Sequence, residues 1–187
     1  MVKRTLMLAD EGATAALGEA LADSLLGLAD EIRTQGFTLG LTGDLGAGKT
    51  ALVRALLRRA GATGSVKSPT FSLLEPYELS RLNFYHFDFY RFKDPAEFLE
   101  RGFDEYFSAG GVCLVEWPER AAGYLPEPDL QIELHVDTHA AARSPGADWA
   151  EEPASTRRRA EVTARTRLGE LCLQRMPTAQ PQASAGA

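Results

Sequence analysis

Between Thr14 and Leu28 the leucines at 17, 21, 25 and 28 recur at spacings of three and four, the stripe of an amphipathic helix that lays one face on a core. Phe37 to Leu41 is a short apolar run ending near Gly43. After a glycine-rich stretch, Leu52, Leu56, Leu57 and Ala60 return to helical spacing over Thr50 to Ala60, and Gly61 stops them. The predicted order is therefore helix, strand, glycine loop, helix.

Farther along, the period changes from helical to alternating. Phe84 to Phe92 is rich in aromatics, which favour strands. Its alternation sets His86, Asp88 and Tyr90 on one face, predicted polar, and Tyr85, Phe87 and Phe89 on the other, predicted core. Val112 to Trp117 is an apolar run of strand length with the carboxylate of Glu116 at its far end. Leu130 to Asp137 alternates Leu130, Ile132, Leu134 and Val136 against polar residues, and Arg159 to Arg165 weakly repeats the pattern, so the two predict an antiparallel ribbon.

Between them, 138–156 mixes Ala, Pro, Gly, Glu and Ser around a single Trp149, which predicts a mobile hairpin tip. A short helix is expected from Arg167 to Met176, and the Pro, Gln, Ala and Ser tail at 177–187 is expected to be disordered. Residues 1–176 thus read as a single domain, with an α/β fold in which helices flank a central, mostly parallel or mixed sheet ending in an antiparallel ribbon.

Composition narrows the function. A chain of 187 residues buries about 70% of its unfolded surface without needing a disulfide or metal. No apolar run approaches the roughly 20 residues that span a bilayer, and the first ten residues carry no apolar stretch with a cleavage site. The expectation is a cytoplasmic protein without membrane contact. A net charge of −6 argues against a domain whose whole surface grips nucleic acid, though it leaves room for a local basic patch, and the expectation is that any link to RNA passes through a partner. Cys113 and Cys172 have no metal-site spacing and read as reduced core thiols.

The chemistry begins at Gly43-Asp44-Leu45-Gly46-Ala47-Gly48-Lys49-Thr50, which satisfies the phosphate-loop pattern G-x-x-x-x-G-K-[ST] between a strand and a helix. Its glycines let backbone N–H groups turn toward phosphate oxygens at a helix N-terminus. Lys49 supplies a point charge for the outer phosphates and the Thr50 hydroxyl a magnesium ligand. Such a site needs a carboxylate at a neighbouring strand end, and Glu116 and Asp88 both qualify. Asp88 could instead pair with Arg91 or His86. Without a nucleophile motif beside it, His86 reads as a hydrogen-bonded strand histidine. Thr70, in Ser68-Pro69-Thr70-Phe71, is either a γ-phosphate sensor or part of a turn ahead of a strand.

Together, the phosphate loop, Ser68-Pro69-Thr70-Phe71, His86-Phe87-Asp88-Phe89-Tyr90-Arg91 and Glu116-Trp117-Pro118 resemble the bacterial TsaE (formerly YjeE) family in order and spacing, as does Thr14-Ala15-Ala16-Leu17-Gly18. The resemblance implies a P-loop NTPase-like fold and an ATPase needed for the threonylcarbamoyladenosine modification of tRNAs reading codons that begin with adenine. It implies ATP and Mg2+ as cofactors, and as partners the transferase TsaD and its companion TsaB, whose complex ATP hydrolysis would reset between cycles. By the same resemblance Leu45, Gly46, Ala47, Gly48, Lys49 and Thr50 hold phosphates, and Thr50 and Glu116 ligate magnesium. Asp88 serves hydrolysis, Thr14 lies near the nucleoside and Trp117 supports the site. Ala51 departs from the family's usual hydroxyl residue, and the 138–156 tip and the tail are additions. The run Arg157, Arg158 and Arg159 is left open between nucleotide, partner and solvent, with solvent the default. Rival readings are a small-molecule or nucleoside kinase, though no arginine-rich lid is evident, and a nucleotide-dependent scaffold in which Asp88 is structural.

Overall fold

The computed structural model describes residues 1–108, 110–137 and 157–177. The predicted hairpin tip and nearly all of the predicted tail lie outside them. The elements are β1 (Val2–Leu8), α1 (Glu11–Leu26), α2 (Ala29–Gln35), β2 (Phe37–Thr42), α3 (Lys49–Ala60), β3 (Leu74–Glu78), β4 (Asn83–Asp88), α4 (Glu97–Glu100), α5 (Asp104–Ser108), β5 (Val112–Glu116), a 3₁₀ turn (Pro118–Ala121), β6 (Leu130–Val136), β7 (Arg158–Ala164) and α6 (Arg167–Arg175).

The seven strands among the described residues form one mixed sheet in the order β1-β7-β6-β2-β5-β4-β3. The centre is parallel, with β2 between β6 and β5 and β4 parallel to β5. Antiparallel partners close both sides: β3 on β4, and β6-β7-β1 at the other. The predicted ribbon is thus β6 with β7, continued by a strand that the sequence pattern did not indicate. β1 turns only Leu6 and Leu8 into the core, too few for a period to stand out. β3 carries Pro76, which an edge strand tolerates because its outer side has no ladder that would need the N–H proline lacks.

Alternation sends Phe37, Leu39, Leu41, Val112, Leu114, Ile132 and Val162 into one core shared with α1, α3 and α6. The opposite face of β4 and β5 buries a second cluster, Phe87, Phe89, Phe92, Phe98, Phe103, Cys113 and Val115. β4 stops at Asp88 rather than Phe92, because the Asp88 carboxylate accepts the Tyr90 N–H at 3.0 Å and turns the chain. The predicted polar face is itself buried, since His86 and Asp88 share the helix-covered side with fully buried Phe84. Both thiols are buried and unpaired. No helix among the described residues is long and apolar enough to cross a membrane.

α1 and α3 approach closely at Gly18, where a Cβ would stand 2.4 Å from the Leu52 carbonyl oxygen. Gly18→Ala therefore forces the helices apart, at an expected cost of about 1–3 kcal/mol, read as a fall of several degrees in thermal midpoint. Burial pushes the Cys172 thiol up to about 11 and Cys113 further still. Neither should react with a disulfide reagent at mildly alkaline pH in the native state, and both should react once the chain is unfolded in guanidinium; rapid native labelling would contradict the buried placement.

Candidate functional site

β2 delivers the chain to Gly43, whose φ of 128° suits glycine alone. A Cβ there would lie 2.2 Å from the Leu134 carbonyl oxygen, so the loop begins pressed against β6. Gly46 and Gly48 also have positive φ, and nothing lies within 4 Å of where a Gly46 side chain would start. Ala47 N–H donates to the Asp44 carbonyl at 3.1 Å and tightens the turn. Where α1 is capped by Asp10 and α6 by Thr166, α3 starts at Gly48 with no side-chain cap. Its first N–H groups and positive dipole end are left to an anion.

Lys49 turns back over this loop. Its Nζ donates to the carbonyls of Gly43 at 2.6 Å and Asp44 at 2.9 Å, and lies 3.8 Å from the centroid of the Trp117 ring. Only 4% of Lys49 is exposed. Burial draws its pKa below the usual lysine value, while Glu116, Glu119, Asp88 and Asp44 act the other way. Trp117 holds its ring there through a left-handed backbone, φ 60°, and an N–H donated to the Leu41 carbonyl at 3.1 Å.

Two carboxylates face the loop from the ends of adjacent parallel strands, with Asp88 registered against Glu116. Glu116 accepts from the Thr50 hydroxyl, 2.9 and 3.0 Å from its two oxygens, and its Oε1 lies 2.9 Å from His86 Nε2. Asp88 accepts from Thr70 Oγ1 at 2.8 Å and from Ser68 Oγ. It pairs with neither Arg91, which lies over the Phe71 ring at 4.3 Å, nor His86. The hydroxyls reach Asp88 because the 68–73 turn is pinned twice, by Leu73 N–H to the Pro69 carbonyl at 2.6 Å and Asp88 N–H to the Leu73 carbonyl at 3.1 Å.

The site residues named from the sequence thus lie on the loop, against it, or, for Thr70, on the strand-end carboxylate that faces it. Thr14 is buried in α1, with its methyl 3.5 Å from where a Gly48 Cβ would stand. Ser68 and His86 were not among the expected site residues. His86's place on the Asp88 face was legible, but its contact with Glu116 depends on strand register, which no local pattern carries. The arginine run divides: Arg159 pairs with Glu161 at 3.0 Å, while Arg158 is buried, its Nε 3.3 Å from the same Gly48 position and its Nη2 3.7 Å from Glu11. Solvent is therefore not the setting of Arg158.

Chemically, an uncapped helix end and a buried lysine suit a polyanion, and Thr50 with Glu116 offers oxygen ligands of the kind hard divalent cations take. Elsewhere, Glu133, His135 and Glu161 converge on the open sheet face, where Arg159 already occupies Glu161. A cavity of about 580 Å³ between α1, α3 and α6, lined by Glu19, Asp23, Arg59 and Arg175, includes none of the loop residues.

A family model described as threonylcarbamoyl adenosine biosynthesis protein TsaE matches residues 8–144. The chain is 40% identical over 134 residues to the tRNA threonylcarbamoyladenosine biosynthesis protein TsaE of Haemophilus influenzae, covering 72% of this chain and 83% of that one. It is 46% identical over 99 residues to the protein of the same name from Bacillus subtilis, covering 53% and 61%. Among solved structures, the protein titled crystal structure of Bacillus subtilus YdiB superposes with a TM-score of 0.66 at 28% identity, covering 93% of this chain and 94% of that one.

Glu116 is the acceptor for two donors at once, so truncating it strands both. Glu116→Ala should destabilise the ligand-free protein by about 1–3 kcal/mol. Chemical denaturation checks this, and an unchanged midpoint would show that Thr50 and His86 find other partners.

Proposed function

Because the chain belongs to the TsaE family of threonylcarbamoyl adenosine biosynthesis proteins, we propose that it is the Mg2+-dependent ATPase of that tRNA modification machinery, hydrolysing ATP to reset a TsaB–TsaD complex. The observation that carries this reading is the convergence of Lys49, Thr50, Glu116 and Asp88 on one uncapped helix start at the ends of β2, β4 and β5.

In this reading the backbone of Leu45, Gly46, Ala47, Gly48, Lys49 and Thr50 holds the phosphates. Lys49 exchanges its two loop carbonyls for phosphate oxygens, and a phosphate offsets the burial that lowers its pKa. Thr50 and Glu116 would hold the magnesium, which when bound supplies positive charge to the phosphate oxygens. Thr14, beside Gly48, would lie near the nucleoside. Asp88, immobilised by Ser68, Thr70 and the Tyr90 N–H, orients a water for in-line attack on the γ-phosphorus, with Thr70 beside it. Catalysis rests on positioning and charge, with no covalent intermediate.

The rim is open: Leu45 is 75% exposed and Phe71 86%. Hydrolysis by the isolated chain is accordingly slow, and a partner completes the site. The proposed setting is the cytoplasm, with tRNA reached through the partner proteins and neither DNA nor membrane involved.

Steady-state ATP hydrolysis by the purified chain, alone and with TsaB and TsaD of the same organism, tests this. Strong stimulation by the pair, abolished in Lys49→Ala, is expected; no stimulation and no complex would return the kinase reading. In Asp88→Asn, turnover should fall about 10²-fold or more while ATP affinity survives. Unchanged turnover would leave Asp88 structural and the protein a nucleotide-dependent scaffold.

A further inference from the structure

His86 is a wholly buried titratable group that the proposed chemistry does not use. It lies on β4 opposite Leu114 of β5, so its ring rests two residues back from Glu116 on the same face. Its Nε2 is 2.9 Å from Glu116 Oε1, and its Nδ1 is buried with no hydrogen-bond partner. A carboxylate only accepts, so the proton of the neutral ring belongs on Nε2, and Nδ1 keeps a bare lone pair in the core. An unsatisfied buried acceptor is destabilising. An apolar residue of similar size would avoid that cost, and the one thing it could not supply is the bond to Glu116.

That bond differs in kind from the other one Glu116 accepts. The Thr50 hydroxyl has a single proton to give and stands between the two carboxylate oxygens. As a cation ligand, Thr50 would give a lone pair to the metal while keeping its proton for the carboxylate, so its position would follow the ion rather than the core. His86 has no such second task. Its N–H pins Oε1 from the core side, leaving Oε2 as the oxygen that can turn outward beside Thr50.

We propose that His86 is a positioning residue, whose Nε2–H fixes the Glu116 carboxylate so that Oε2 is presented to the divalent cation. The proposal rests on the reading that Thr50 and Glu116 hold that cation, and it extends the chain's metal-binding apparatus by a residue that touches neither metal nor nucleotide. Outer partners of this kind are typically worth about 10–100-fold in metal affinity.

The test substitutes His86→Leu, which removes the donor, His86→Gln, whose amide nitrogen lies the same number of bonds from Cα as Nε2, and His86→Asn, whose amide falls one bond short. Fluorescent ATP analogue bound to each protein is titrated with Mg2+, and analogue affinity without metal and thermal unfolding of the free protein are measured alongside. The expected result is a Mg2+ half-saturation raised about 10–100-fold in Leu and Asn, largely restored in Gln, with metal-free nucleotide affinity unchanged. A folded Leu variant with wild-type Mg2+ dependence overturns the proposal. If Leu does not fold, equal behaviour of Asn and Gln overturns it. Glu116→Gln separates the levels: no change in its Mg2+ half-saturation removes the cation reading and this proposal together, whereas a change there with none in His86→Leu removes this proposal alone.

Discussion

The parallel pairing of β5 between β2 and β4 is the constraint from which the site follows. It puts Leu41 and Asp88 on either side of Glu116, in one row at the strand ends where β2 gives way to the glycine loop. A slip of one residue in β5 would turn Glu116 to the opposite face and bring Val115 under Thr50. The register is held by burial on both faces, because Val112 and Leu114 enter the helix-side core and Cys113 and Val115 the aromatic cluster. Site geometry and core packing are therefore enforced by the same five residues.

Within that row, three charged groups are withdrawn from water, Lys49, Asp88 and Glu116. Isolated burial of a charge is costly, and each is compensated differently. Asp88 is surrounded by hydroxyl and N–H donors, Glu116 by one hydroxyl and one imidazole, and Lys49 by two carbonyls and an indole face. The Lys49 contacts bring no opposite charge into direct contact, which is why burial prevails and its pKa falls. A site so arranged holds its acceptors rigidly while its cation remains the group with most to gain from an arriving anion.

How much of this was legible in the chain depended on how local each signal is. The loop, its flanking strand and helix, and the ribbon of β6 and β7 announce themselves within a dozen residues by glycine spacing or by period. The mixed sheet and the strand-end carboxylates followed. β1 and β3 did not, since an edge strand with two inward leucines and another interrupted by Pro76 leave almost no period to read. His86 and Ser68 illustrate a different blindness: their residue types were visible, but their partners lie thirty and twenty residues away, joined only by register and by a twice-pinned turn. Arg158 was left open, with solvent the default, for the same reason, because a charge in a basic run shows its direction only once β7 has a neighbour.

Among the described residues, two that are not glycine adopt left-handed backbone, Leu73 at φ 67° and Trp117 at φ 60°. Conformations of this kind cost of order 1 kcal/mol or more and persist where surroundings over-determine them. Here each sits one step from a functional side chain. The strained Leu73 offers its carbonyl to the Asp88 N–H and accepts a fixed position from Pro69; the strained Trp117 ties β5 to β2 and sets its ring under Lys49. Strain is thus spent on the floor of the site, where acceptors must not move, and none of it on Leu45 or Phe71 at the rim, which stay exposed. A rigid floor beneath an open rim is the arrangement expected of a site whose chemistry is built in and whose timing is left to whatever covers it.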